Sequence, residues 1–299
     1  MVLMGPILKN CSPVLVYHAA YRDIPKDIRE KLHNVHPETI ADQLSYLKRM
    51  VRFVCIDELI AAKRHRGLAA ITFDDGYKCV IDLMSDILIS LEIPFTIFVN
   101  SCTMEHKVFW RDKVRYIMSR GLVEECEQSL TRTRLIKGRS FYRYTKDPSN
   151  DSRIVDEELD RFLAAKGIAL APGHHAFDNP RYFLKHPLVS YGNHSHHHYV
   201  LSSLPRDAQH QEILRTRLFL QSLQGTQISD VFSIPFGDVN DFNEDTLGIL
   251  ADLQYRGALL SRQRLNWRLK KQKGIVLIER FMPKDSALPR HMLPLPWRW

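Results

Sequence analysis

The chain has 299 residues, 44% of them hydrophobic, enough to bury a large core in one domain. Its net charge is +8, yet no nucleic-acid reader motif accompanies the basic residues, so nucleic acid is not expected as a partner. No apolar run approaches the length of a bilayer span, and the only Lys of residues 1–9 follows the apolar part, the reverse of a secretory signal; a cytoplasmic protein is expected.

In chain order, strand and helix signals alternate as a parallel α/β architecture requires. An apolar run at 13–17 ends in His18. Ile40, Leu44, Leu47 and Val51 then fall at helical spacing behind His36-Pro37-Glu38. Strands are predicted at 53–56 and 69–73. A helical stripe of Val80, Met84, Ile87, Leu88 and Leu91 follows and ends before Pro94, where residues 95–99 read as a strand. From about 104 to 186 the pattern changes to charged helical stretches (110–120 and 155–166) around a polar, basic segment at 131–151. This block reads as an inserted subdomain that leaves one strand and returns just before a His cluster, so it belongs near the catalytic rim, where inserted loops select substrates. Trp110, Arg111 and Lys113 are its candidates for ligand contact, though packing and surface roles are commoner for such residues. After a short apolar segment at 187–192, helices are expected at 205–223 and 244–253, and strands at 231–234, 257–260 and 275–278. No internal repeat is visible.

The strand at 69–73 ends in Asp74-Asp75-Gly76. Adjacent carboxylates repel, which raises one pKa unless a cation sits against one of them, leaving its neighbour to act as a base. Asp-Asp-Gly is also ordinary turn chemistry. The second cluster, Asn193-His194-Ser195-His196-His197-His198, supplies imidazoles; His194 and His198, four apart, share a face on a helical turn and with Asp75 make three protein ligands, the donor count of a catalytic zinc site. The five cysteines (Cys11, Cys55, Cys79, Cys102, Cys126) are odd in number and lack a Cys-x-x-Cys pair, as free thiols in a reducing compartment do, and are not expected to bind the metal.

Thr72-Phe73-Asp74-Asp75-Gly76 and His194-Ser195-His196-His197-His198 resemble the two signature motifs of the polysaccharide deacetylases of the NodB-homology superfamily, Thr-Phe-Asp-Asp-Gly and His-Ser/Thr-x-x-His. Val16-Tyr17-His18, residues 37–59, residues 93–99 and Ser233-Ile234-Pro235-Phe236-Gly237 add to the likeness. The resemblance implies a distorted (β/α) barrel of about seven strands with a helical insertion. It implies that Asp74 is the general base, that Asp75, His194 and His198 bind the metal, and that Pro235 and Phe236 line the acyl pocket. The implied activity is metal-dependent removal of an N-acetyl group from an amino sugar or glycan precursor. The alternatives are a deformylase or O-esterase on an acylated sugar, or a catalytically silent carbohydrate-binding protein.

The chain departs from the family pattern in three places. Ser233 and Ile234 stand where many members carry Arg, Phe236 replaces Tyr, and no late Leu-x-His motif is evident. Phe236 still has a backbone N–H for an oxyanion. Arg280, closing the segment 275–280, looks like the Arg of a family subgroup and is the candidate to orient Asp74; a surface ion pair is the competing role. His18 is the leading candidate for proton donor, against a structural hydrogen-bonded role. His174 and His175 read as loop residues first and substrate contacts second. Zn2+ suits two imidazoles and a carboxylate, with Co2+, Ni2+ or Fe2+ as tolerated ions. The basic clusters at 132–143 and 262–273 suit the phosphates of a nucleotide- or lipid-linked sugar, or peripheral contact with an anionic membrane, against the commoner solvated basic face. The Trp- and Pro-rich segment 293–299 is expected to pack on the barrel. The oligomeric state is not readable.

Overall fold

The computed structural model describes residues 4–171 and 175–286, so His174 and the segment 293–299 lie outside the described residues. Its strands are β1 (Val14–Tyr17), β2 (Arg52–Phe53), β3 (Leu68–Phe73), β4 (Phe95–Val99), β5 (Val189–Asn193), β6 (Gln227–Ser233), β7 (Gly257–Leu259), β8 (Lys270–Gln272) and β9 (Ile275–Ile278). Seven of them run parallel in the order β1-β3-β4-β5-β6-β7-β9. The two additions are small: β2 pairs with the start of β3, and β8 lies antiparallel on β9. The sheet curls almost full circle. Just past β9, the N–H of Phe281 donates to Val14 O (3.1 Å) and its carbonyl accepts from Val16 N (3.0 Å), so a single bridge closes the ring against β1. This is the distorted (β/α) barrel of about seven strands that the motif resemblance implies.

The helices are α1 (Met4–Lys9), α2 (Pro37–Lys48), α3 (Ile56–Ala61), α4 (Ser85–Ser90), α5 (Trp110–Ser119), α6 (Val123–Ser129), α7 (Phe141–Tyr144), α8 (Ser152–Ala165), α9 (Arg206–Ser222) and α10 (Glu244–Asp252). None is long and apolar enough to cross a membrane among the described residues. The strand expected at 53–56 shrinks to two residues because Ile56 opens α3: Asp57 and Glu58 occupy its first turn, where the helix dipole favours acids, while Ile56 and Leu59 are buried. The stripe from Val80 starts as a π-turn, Val80–Met84, before α4. Strand β8 was not expected. All three of its residues are exposed, so no apolar alternation announces it, and its pairing with β9 across Lys273-Gly274 alone defines it.

Two faces of the sheet are filled differently. Ala70, Phe98, Val231, Leu259 and Ile278 cluster with Val14, Val54, Ile56 and Leu59, and the alternating period of a strand puts Thr72 and Asp74 on the same side as Ala70. The outer side packs on the helices in a larger cluster that also takes in Phe109, Trp110, Val114 and Ile117 of the α5 region and Val155, Leu159 and Phe162 of α8. Among the described residues, those of the 104–186 block thus share a core cluster with the barrel. The block's return leg docks beside the acidic motif: Phe177 N donates to Gly76 O (2.8 Å) and Lys78 N to His175 O (2.8 Å).

Candidate active site

Beyond β3, Asp74 N still donates to Tyr17 O (2.9 Å), which keeps Asp74 in register with the barrel wall. Asp75 (φ 70°) and Gly76 (φ 63°) then turn through the left-handed region, so both carboxylates face one cleft. Gly76 is required twice over, by its φ and because a Cβ there would sit 3.1 Å from Val99 Cγ1. Lys31 (φ 58°), Ser195 (φ 66°), His198 (φ 64°) and Phe236 (φ 62°) repeat this costly conformation, and such a cluster of strained non-glycine residues around one cleft is the mark of a site the surrounding structure holds in place.

His194 and His198 come together by a route other than the helical turn expected of them. The segment after β5 is an irregular loop: Ser195 N donates to Asn193 Oδ1 (2.8 Å), His198 N to Ser195 Oγ (2.9 Å), and Asn100 Nδ2 to the carbonyls of His194 and Ser195 (2.5 and 3.1 Å). Local side-chain bonding from Asn and Ser outcompetes the helix. Trp110 Nε1 donates to His198 O (3.0 Å), and the His198 ring packs edge-on against Phe109 and Phe236.

Ligand atoms of Asp75, His194 and His198 lie within 4.8 Å of one another. His198 Nε2 is 3.3 Å and His194 Nε2 3.5 Å from Asp75 Oδ1, a buried oxygen with no hydrogen-bond partner among the described residues. His194 Nδ1 lies 2.8 Å from Ser233 O, which fixes the proton on Nδ1 and leaves the Nε2 lone pair facing the acids. Burial holds His198 neutral, its pKa well below the usual value. Burial acts the same way on His194, but Asp74 and Asp75 outweigh it and raise its pKa; a divalent ion would neutralise that excess of negative charge. An orphaned carboxylate oxygen and two imidazole lone pairs fit a metal of the zinc class.

Asp74 is held differently. Arg280, fully buried, grips it with two parallel bonds (Nη1–Oδ1 2.8 Å, Nη2–Oδ2 2.7 Å) and also donates to Thr72 Oγ1, Ser233 Oγ, Ser261 Oγ and Leu260 O. Ser233 Oγ itself donates to Asp74 at 3.1 Å. Burial pushes the Asp74 pKa up, but Arg280 and His194 outweigh it and leave it at about 2. Asp74 is thus ionised, with Oδ2 3.6 Å from His194 Nε2.

His18 lines the same cleft, with Nδ1 3.2 Å from His33 Nδ1, while His33 Nε2 lies 2.8 Å from Pro283 O. The carbonyl can only accept, so His33 donates from Nε2 and accepts at Nδ1, and His18 donates from Nδ1. His18 Nε2 is then a lone pair. Burial brings its pKa down to about 4, so it is neutral at neutral pH. Phe236 forms part of the cleft wall, and its N–H has no acceptor among the described residues. Pro235 does not line the cleft; it is buried, and its carbonyl accepts Gly237 N (2.8 Å) in a tight turn that sends Phe236 inward. Lys113 is tied to Asp156 (2.7 Å) and Asp160 (2.6 Å) and stays out of the cleft, while His175 pairs with Asp27 (3.0 Å). Sequence reasoning missed His33, Tyr142, Lys146 and Ser261, which also line the cleft; none carries a local motif.

Comparison with known proteins agrees with this architecture. The family model "Polysaccharide deacetylase" matches residues 181–258, a span that includes His194 and His198. Solved structures with the same fold include the deacetylase PplD of Streptococcus pyogenes, in complex with acetate (16% identity, TM-score 0.54, 92% of this chain and 93% of that one). A polysaccharide deacetylase from Bacillus cereus also shares it (13% identity, TM-score 0.51, 91% of this chain and 64% of that one). No curated protein matches by sequence. Fold and motifs define a NodB-type barrel protein. The family match is confined to residues 181–258, and the likeness to the solved structures is one of fold; both agree with the resemblance carried by the Asp and His motifs.

Proposed function

We propose that this protein is a metal-dependent hydrolase that removes the N-acetyl group of an amino sugar or glycan precursor. The observation that carries this reading is the meeting of Asp75, His194 and His198 with an Arg-oriented Asp74 in one buried cleft. A divalent ion held by those three residues, zinc by its donor set with cobalt, nickel or iron tolerated, supplies Lewis-acid polarisation of the amide carbonyl and a water of lowered pKa.

The chain's own residues do the rest. Asp74, ionised and unable to rotate, accepts the proton of the attacking water. Arg280 makes it a weak base, so that proton is readily passed on to the leaving amine. The Phe236 N–H donates to the oxyanion, and the Phe236 ring closes the cleft on the acyl side. His18 presents a lone pair and has to gain a proton before it can act as a donor. Substrate enters as an N-acetylated sugar, free or carrier-linked. Peripheral contact with an anionic membrane is part of the same reading, supported by the basic charge, and a cytoplasmic setting is proposed with it.

Acid release from a panel of N-acetylated, N-formylated and O-acetylated sugars tests it, comparing the zinc-loaded wild type with Asp74→Asn. Acetate from N-acetylated sugars alone is expected. Formate, or acetate only from esters, would move the assignment to a deformylase or an esterase. Glycan binding without any acid release would make the protein a silent binder.

A further inference from the structure

We propose that the cleft takes an acylated sugar bearing an anionic group, a phosphate or carboxylate, near its acylamino group, and that Arg111 and Lys146 bind that anion. The acyl half of this substrate rests on the hydrolase reading above; the anion half rests on a separate set of observations.

Arg111 is 1% exposed and lines the cleft, yet its guanidinium meets no carboxylate among the described residues. Nη1 donates to Thr145 Oγ1 and Nη2 to Tyr142 O, both at 3.2 Å, and Nε has no partner. Around it stand the π-faces of Trp110, Tyr142 and Phe236 at 4.7, 4.6 and 5.5 Å, and Asp75 acts on it only at a distance, opposed by the like charge of Arg115. Other buried cations are compensated: Arg280 by Asp74, Arg115 by Asp112, Lys113 by Asp156 and Asp160. A charge taken out of water is normally matched, and an unmatched one lining a substrate cleft awaits its counter-ion from the ligand.

Lys146 is the second such group. Its ammonium lies 4.5 Å from the Phe236 ring and 5.2 Å from Tyr142, with no ion pair among the described residues. Asp241 acts on it at a distance, but that carboxylate accepts the Asp238 N–H, and burial pushes it up to about 6. Lys31 stands on the same cleft. Of the acids there, Asp74 is satisfied by Arg280 and Asp75 belongs to the metal, so the remaining field is positive. The Tyr142 phenol registers it: burial pushes it up, but Arg111, Arg115 and Lys146 outweigh that and bring it down to about 8. A neutral amino sugar offers these cations nothing, whereas a phosphate or carboxylate offers charge-assisted bonds.

The test uses calorimetry on full-length, chelator-treated protein, so that no anion can bind through a metal. The probes are inorganic phosphate, N-acetylglucosamine 1-phosphate, an N-acetylhexosaminuronic acid and the neutral methyl glycoside of N-acetylglucosamine. The anionic sugars are expected to bind roughly tenfold or more tighter than the neutral one. The stronger of the two tells phosphate from carboxylate. That advantage should collapse in Lys146→Met and Arg111→Gln; if Arg111→Gln fails to fold, Lys146→Met carries the test. Equal binding of charged and neutral sugars, or an advantage that survives in Lys146→Met and any folded Arg111→Gln, overturns the proposal. Acetate release by the zinc-loaded enzyme from the neutral glycoside, with no anion preference, overturns it while sparing the hydrolase reading. Variant-sensitive anion binding without release from any probe does the reverse.

Discussion

Two fully buried arginines flank the same cleft and are treated in opposite ways. Arg280, from the barrel wall, spends every donor on a prepared set of partners with Asp74 at their centre. Arg111, from the inserted block, has two long bonds to neutral oxygens and an unpartnered Nε. Around Arg280 the charges are matched and Asp74 is held in place; around Arg111 they are not, and that side favours a ligand that brings negative charge.

The largest effect expected is on the completed side. Asp74→Asn should retain stoichiometric metal, measured by elemental analysis, and lose roughly 10²–10⁴-fold in turnover, whereas His194→Ala should lose both. Turnover equal to wild type in Asp74→Asn would remove the assigned base. Next comes stability. Arg280→Met leaves Asp74 buried without its partner and should cost about 3–5 kcal/mol in denaturant unfolding, largely recovered in the double variant with Asp74→Asn. Arg111→Met leaves no buried acid unpaired, so its loss should be far smaller; a cost equal to that of Arg280→Met would break the comparison.

A smaller effect concerns acid. In metal-free protein, His18 has a folded pKa near 4 against 6.5 for its ordinary value. The unfolded chain therefore binds more protons between those values, and stability, fully present above pH 6.5, falls as pH drops toward 4. His196, lowered by burial to about 2, and His198 act in the same direction. His18→Gln should flatten part of that slope in pH-dependent thermal melts; an unchanged slope would mean that His18 is not buried neutral. The smallest effect is that of Trp110→Phe, which removes the bond to His198 O and should cost about 1 kcal/mol together with weaker zinc binding in a chelator competition.

Much of this is legible in the sequence. Strands β3, β4 and β9 and helices α2, α5 and α10 follow from apolar periodicity, because each buries a face whose spacing repeats along the chain. Asp74, Asp75, His194 and His198 could be read as one site because two short motifs carry unusual donors. Less was legible where local and tertiary preferences part. Residues 194–198 fit a helical turn by spacing, but Asn193, Ser195 and Asn100 fold them into a loop. Pro235 and Phe236 look equivalent in sequence, and only the turn at Gly237 decides which of them faces the cleft.

By itself, the sequence determined the alternation of elements and the residues able to hold an ion and act as a base, since those depend on periodicity and on side-chain chemistry, both local properties; the barrel class followed from the resemblance of its motifs. Tertiary structure decided between the two roles open to Arg280 by bringing it to Asp74, 206 positions away; it alone decided that His33 sets the tautomer of His18 and that Arg111 and Lys146 line the cleft without a counter-ion among the described residues. Such pairings depend on where strands end and on which charges go unmatched when the chain closes on itself. No spacing along the chain encodes them.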